Sequence, residues 1–161
     1  MLTSRISFKN FKITKKKSPL VKKKLLALVK EKNEIIKSLT KDYKNNFNKK
    51  TLKKFKNTLE YRVIGMGGSS LGAQAIYDFL NFKIKKKFFF VDNLKKNYSK
   101  KNKNHTNLVI SKSGNTIETI VNANLLIKKK DRNIFITENK KNYLHILAER
   151  LKADIIYHNN Y

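Results

Sequence analysis

Two short segments of the chain carry residue types suited to gripping a phosphate. The first runs Val63-Ile64-Gly65-Met66-Gly67-Gly68-Ser69-Ser70-Leu71-Gly72. Its glycines permit a tight turn and let backbone N–H groups come close to an anion. Ser69 and Ser70 add hydroxyl donors. The second runs Val109-Ile110-Ser111-Lys112-Ser113-Gly114-Asn115-Thr116-Ile117-Glu118-Thr119. Ser111, Ser113 and Thr116 place three hydroxyls around one turn, Lys112 is a nearby point charge, and Gly114 allows close backbone approach. Such a set suits a doubly charged phosphate monoester, held by charge-assisted hydrogen bonds and a helix terminus. Glu118 reads as a dipole-favoured residue of a first helical turn rather than a catalyst.

Each segment alone also reads as an ordinary serine-capped turn between a strand and a helix. Two of them after successive parallel strands count against coincidence. The chain holds only five glycines, four in the first segment and the fifth in the second. A dinucleotide site competes for the first segment, since Gly65-Met66-Gly67 opens like its fingerprint and Asp92 ends the next strand. But position 70 is Ser, the next glycine is Gly72, and that fingerprint leaves residues 111–116 unexplained. No Gly-Lys-Ser/Thr follows the cluster, so it is not a P-loop.

These loops need a scaffold that presents them at one edge. From residue 60 onward, apolar runs at 62–66, 88–91, 108–110, 134–136 and 155–157 read as strands. Between them, 71–82, 117–129 and 143–152 read as helices. Strand–helix alternation predicts an α/β fold with a parallel sheet. Ligands then meet the carboxyl ends of the strands, where both loops fall, and the helix N-termini add free N–H groups and a positive dipole end. Residues 90–108 form a polar, basic connection that could hold a short helix or a loop. Upstream, residues 1–17 are basic, with a short strand expected near 6–13. Ser18-Pro19 reads as an N-cap with Pro at the first helical position. Val21, Leu25, Leu28, Ile35 and Leu39 recur at helical spacing and predict one helix over 19–39. Residues 40–58 are polar and read as a link or cover.

The three histidines give little chemistry. His105 sits in a Lys/Asn-rich loop and reads as solvated, and His158 is near the C-terminus. His145 and Glu149, at i and i+4, read as a surface pair rather than a metal site. No metal and no cofactor is expected.

Size and composition set the outer bounds. A chain of 161 residues with 40% hydrophobic content can build one domain with a real core. No stretch approaches the roughly 20 apolar residues of a membrane span. The first 24 residues lack the apolar block and cleavage site of a secretory signal, and there is no cysteine. A cytoplasmic location is the expectation. The formal net charge is +27, yet only four of 38 basic residues are Arg. Lys, Asn, Ile and Phe all have A/T-rich codons, which accounts for the bias without a partner. Arg is the favoured residue for bidentate phosphate and guanine contacts. The expectation is therefore no specific nucleic-acid partner and no membrane partner, with weak non-specific polyanion binding at low salt.

At the two loops the sequence resembles the glucose-6-phosphate isomerase family. Residues 65–72 are similar to that family's Gly-Ile-Gly-Gly-Ser-x-Leu-Gly segment, and residues 111–119 to its second phosphate loop. The Ser-x-Ser-Gly-x-Thr core also occurs in sugar isomerase (SIS) domains generally. The resemblance covers about residues 60–157. Met66 for Ile and Ser113 for the family's frequent Thr are mild departures. The resemblance implies an SIS-type, Rossmann-like three-layer domain with a five-stranded parallel sheet over 59–161; the basic helical segment over 1–58 ahead of it is read from the residues themselves. It implies a substrate of glucose 6-phosphate or fructose 6-phosphate, with Gly68, Ser69, Ser111, Lys112, Ser113 and Thr116 on the phosphate. It implies a homodimer for the full-length enzyme. The family's reaction opens the sugar ring and moves a proton between C2 and C1 through a cis-enediol, which needs a carboxylate base, ring-opening groups and an Arg. Those groups belong to segments downstream of the second loop, the first a Gly-Gly-Arg motif expected beyond Tyr161, so no catalytic residue is carried over and this chain alone is expected to be inactive. A non-catalytic SIS module that senses a phosphosugar is the alternative.

Overall fold

The computed structural model describes residues 18–31, 33–38, 40, 43–44, 46–94 and 105–158. The strand expected near 6–13, and most of the connection between 90 and 108, lie outside these. The chain divides into two compact units between Tyr43 and Lys44.

In the first unit, Ser18 caps α1 (Pro19–Lys30), its Oγ accepting from the Val21 N–H at 3.4 Å, with Pro in the first turn. The single helix expected over 19–39 is two. Glu31 leaves the helix with extended backbone. Asn33 Oδ1 then accepts the Ile36 N–H at 2.8 Å and opens α2 (Glu34–Ser38). Asn competes for backbone donors in this way, which makes it a cap rather than a mid-helix residue. Apolar spacing carried across Asn33 because it is blind to capping.

In the second unit, α3 (Lys49–Lys54) is capped by Asn48 and leads to buried Phe55, whose carbonyl accepts the Tyr61 hydroxyl at 2.8 Å. Five strands follow: β1 (Glu60–Gly65), β2 (Lys87–Val91), β3 (Thr106–Ile110), β4 (Arg132–Glu138) and β5 (Asp154–His158). They form one all-parallel sheet in the order β2-β1-β3-β4-β5. The connecting helices are α4 (Gly68–Leu80), α5 (Ile117–Leu126) and α6 (Tyr143–Arg150). The expected α/β class and five-stranded parallel sheet are therefore present, with helices against both faces.

Strand alternation sorts the core. Ile64, Val109 and Phe135 are register partners across β1, β3 and β4, all fully buried. They meet Ala123 of α5 and Leu144 and Ala148 of α6. Each such large apolar side chain contributes about 1.5–3 kcal/mol by leaving water. The opposite parity of β1 meets α4. Tyr61 stacks on its register partner Phe88 at 5.0 Å, and Tyr77 of α4 packs edge-on against Phe88 at 5.2 Å.

Both ends of α6 are set by local chemistry. The helix expected over 143–152 ends at Arg150, because Lys152 takes a positive φ of 52° and Ala153 N–H returns to the Ala148 carbonyl at 2.9 Å. That six-to-one bond closes a helix end. At the amino end of the sheet the side chains are polar yet buried. Asn107 Nδ2 donates to Asn133 Oδ1 at 2.8 Å, and Arg62 donates to the Leu126 carbonyl at 3.0 Å, tying down the end of α5. Burial lowers the Arg62 pKa below its usual value, opposed by nearby Asp131.

Candidate functional site

The first loop leaves β1 at Gly65, whose register partner is Ile110, the last residue of β3. The two loops therefore leave adjacent strands side by side at the carboxyl edge. Met66 is half-buried, and Gly67 then takes φ +54°, ψ −125° as the N-cap of α4. That conformation is essentially confined to glycine. Gly68 is exposed and Ser69 half-buried in the first turn. Ser70, read as a further hydroxyl donor to a ligand, is fully buried, and its Oγ donates to the Gly67 carbonyl at 3.3 Å.

The second loop is built around Ser111. This residue is buried, its Oγ accepting the Gly114 N–H at 3.2 Å and bonding Thr116 Oγ1 at 3.0 Å. Ser111 thereby folds the turn back on itself. Lys112 and Ser113 are exposed, and Ser113 Oγ accepts the Asn115 N–H at 3.3 Å. Gly114 has φ +69°. Thr116 is half-buried and is the N-cap of α5. Glu118 is half-buried in the first turn.

The helix openings differ in one respect. α1, α3 and α6 each begin with a side chain accepting a first-turn N–H, from Ser18, Asn48 and Asn142. α4 and α5 have no side-chain cap among the described residues. The first N–H groups of a helix have no intrahelical acceptor. At α4, which follows the first loop, the Met66 and Gly67 carbonyls accept the Ser69 and Ser70 N–H groups at 3.1 and 3.0 Å, and at α5, which follows the second, no side-chain cap takes up the first N–H groups among the described residues.

Contacts that local patterns did not single out support the second loop. Asn115 Oδ1 accepts the Tyr143 N–H at 3.1 Å, and the Gly114 carbonyl accepts the Leu144 N–H at 3.1 Å. Asn142 is buried under Gly114, its Oδ1 accepting the His145 N–H at 2.9 Å and its Nδ2 donating to Thr137 Oγ1 at 3.0 Å. Asn just before an apolar helical run is a readable N-cap signal. Its contact with Gly114 has no local signature.

The remaining candidates sit elsewhere. His105, read as solvated, has a side chain only 12% exposed, 3.5 Å from Glu60 and edge-on to Phe89. It lies at the amino end of β3, across the sheet from the loops. His145 bonds the Tyr157 hydroxyl at 3.1 Å, with Glu149 at 4.0 Å, so its nearer partner lies on β5. His158 is exposed. Asp92 follows β2 and accepts from the neighbouring Asn93 amide at 3.3 Å. No group of three His, Cys, Asp or Glu among the described residues could hold a metal. Two clefts, of about 360 and 660 Å³, open at the amino end of the sheet, lined by residues such as Lys54, Arg132 and Lys152 in one and Glu60, His105 and Lys130 in the other.

No family model matches the chain. Curated proteins do. A glucose-6-phosphate isomerase of Borrelia garinii subsp. bavariensis is 40% identical over 101 residues, covering 55% of this chain. That of Methanocaldococcus jannaschii is 38% identical over 127 residues, covering 70%. That of Mycoplasmoides gallisepticum is 34% identical over 135 residues, covering 73%. This chain is a partial relative of the glucose-6-phosphate isomerases. It spans 18%, 30% and 32% of the length of those three enzymes. Among solved structures, a hypothetical protein from Thermus thermophilus superposes with a TM-score of 0.54 at 22% identity. That likeness covers 63% of this chain and 28% of the other, and speaks for the isomerase relative's α/β fold alone.

Proposed function

We propose that this chain carries the phosphate-gripping part of a glucose-6-phosphate isomerase, the enzyme that interconverts glucose 6-phosphate and fructose 6-phosphate in glycolysis and gluconeogenesis. The observation that carries this reading is the pair of helix N-termini without side-chain caps, α4 and α5, that follow adjacent strands through Gly- and Ser-rich loops. Backbone N–H groups at such positions and the aligned peptide dipoles favour an anion. The likeness to named isomerases supports a phosphosugar as that anion.

In this reading, Gly68 offers a first-turn N–H and Ser69 its hydroxyl from the first loop, the Ser69 N–H being held by the Met66 carbonyl at 3.1 Å. From the second, Ser113 and Thr116 offer hydroxyls and Lys112 a mobile positive charge. Ser111 is buried, so its part is to hold Thr116 and Gly114 while the turn closes on the phosphate. These contacts fix the phosphate end of the sugar and leave the carbons free to react. Positioning of this kind lowers a barrier only when acid–base groups stand at the other end of the sugar. The proposal assigns none of them to this chain. Residues 59–161 form an SIS domain in this reading, the location is cytoplasmic, and the full-length enzyme is a homodimer. No helix among the described residues is long and apolar enough to cross a membrane.

Thermal unfolding with fructose 6-phosphate or unphosphorylated fructose tests the reading. Fructose 6-phosphate should raise the melting temperature in a dose-dependent way, by the equivalent of about 2.7 kcal/mol at a hundredfold excess over Kd. Fructose should have no effect. Equal responses to the two sugars, or none to either, contradict it.

A further inference from the structure

We infer that Thr137 and Asn142 form a buried brace that sets the shape of the second loop from below, making both of them positioning residues for whatever anion that loop holds. The ligand side of this inference rests on the phosphate reading above; the brace itself rests on geometry. Thr137 is fully buried on β4 and Asn142 is 6% exposed at the start of α6. Asn142 Nδ2 donates to Thr137 Oγ1 at 3.0 Å, and that hydroxyl donates onward to the Lys112 carbonyl at 3.3 Å. The Glu138 N–H reaches the same carbonyl at 3.0 Å. The peptide that joins Lys112 to Ser113 is thus anchored from the β4 side.

The direction of this relay follows from the donor inventory. Asn142 Oδ1 is committed to the His145 N–H, so its amide must present N–H groups to Thr137. The Thr137 hydroxyl, having accepted, has its one proton left for Lys112. The same asparagine also fills the space beside Gly114, where an added Cβ would lie 2.1 Å from its side chain. One buried amide therefore caps α6, orients the Lys112 carbonyl and supports the Gly114 turn. None of these contacts reaches the exposed face on which Lys112 and Ser113 stand.

Two substitutions reverse or remove the relay. Asn142→Asp keeps the cap on His145 but turns the Thr137 hydroxyl toward a carboxylate and away from Lys112. Thr137→Val removes the hydroxyl, and Thr137→Ser restores it. Two readouts are taken on the full chain, well below each melting temperature. Amide hydrogen exchange is followed over residues 112–116. Affinity for fructose 6-phosphate is followed by calorimetry. The brace predicts faster exchange confined to this loop in Thr137→Val and Asn142→Asp, with the Gly67–Leu71 amides unchanged. It predicts an affinity loss of about tenfold, the scale of one hydrogen bond, and recovery of both readouts in Thr137→Ser. Unchanged loop exchange in Thr137→Val and Asn142→Asp overturns the brace whatever the ligand does. Fast loop exchange with undiminished affinity overturns the positioning role. Failure of the unsubstituted chain to bind fructose 6-phosphate, with the exchange effect intact, overturns the phosphate reading and leaves the brace standing.

Discussion

Gly65 and Ile110 end adjacent strands as register partners, and a Cβ on Gly65 would lie 3.0 Å from the Ile110 carbonyl oxygen. The bare Gly65 backbone lets the two loops leave the sheet shoulder to shoulder. Gly65→Ala should push β1 and β3 apart where the site is formed, at a cost of about 1–3 kcal/mol from overpacking. Gly72, on α4, has nothing within 4 Å of an added Cβ. Gly72→Ala should be neutral or add up to about 1 kcal/mol through helix propensity. Denaturant midpoints of the two variants check the contrast; equal midpoints would refute it.

Gly114 is constrained twice, by a φ of +69° and by Asn142 beneath it. Gly114→Ala should cost roughly 1–3 kcal/mol for the backbone alone, plus the overlap with Asn142. The second part is separable. Gly114→Ala should cost less melting temperature in an Asn142→Gly background than in the parent protein, a non-additivity expected of residues in contact. Full additivity would mean that the overlap is relieved by other movement.

Lys112 is exposed beside the loop, so its charge acts locally on a ligand. Lys112→Glu should abolish stabilisation by fructose 6-phosphate. Lys141→Glu changes the net charge equally, from an exposed site just ahead of Asn142, and should retain most of it. Thermal shifts of the two variants side by side separate a local contact from general repulsion. Equal losses would point to the overall field of a very basic chain.

Tyr61 donates to the Phe55 carbonyl, and burial raises its pKa above the ordinary 10.0. The folded state then holds this proton more tightly than the unfolded chain. The stabilisation is fully present below about pH 10 and is lost as pH climbs through the folded-state pKa. Tyr61→Phe should cost about 1 kcal/mol at neutral pH. The gap to the parent protein should shrink above about pH 10. A gap that widens with alkalinity would contradict the sign.

Much of the scaffold is legible in the chain because its strands are short apolar runs between helices. The runs fell short where polar residues are buried. Thr106 and Asn107 belong to β3, and Asn133 to β4, because they satisfy one another or neighbouring groups across the sheet. Periodicity carried α1 past Glu31 because spacing does not register that Asn33 caps a new helix. The loops stood out because a chain with so few glycines placed them where φ is positive, at Gly67 and Gly114. Thr137 and Asn142 did not stand out, since their roles depend on β4 and α6 meeting the loop in space. His105 was misread for the same reason: its burial comes from Glu60 and Phe89 on other strands.

The most direct measurement is a titration of the isotope-labelled chain with fructose 6-phosphate, followed residue by residue through its backbone amide resonances. The account predicts saturable shifts that share one Kd at Gly68, Ser69, Ser113 and Thr116, with no response around His105 or Arg132 at the amino edge. Shifts confined to the amino-edge lysines, or absent from one of the two loops, would contradict a phosphate site built from both.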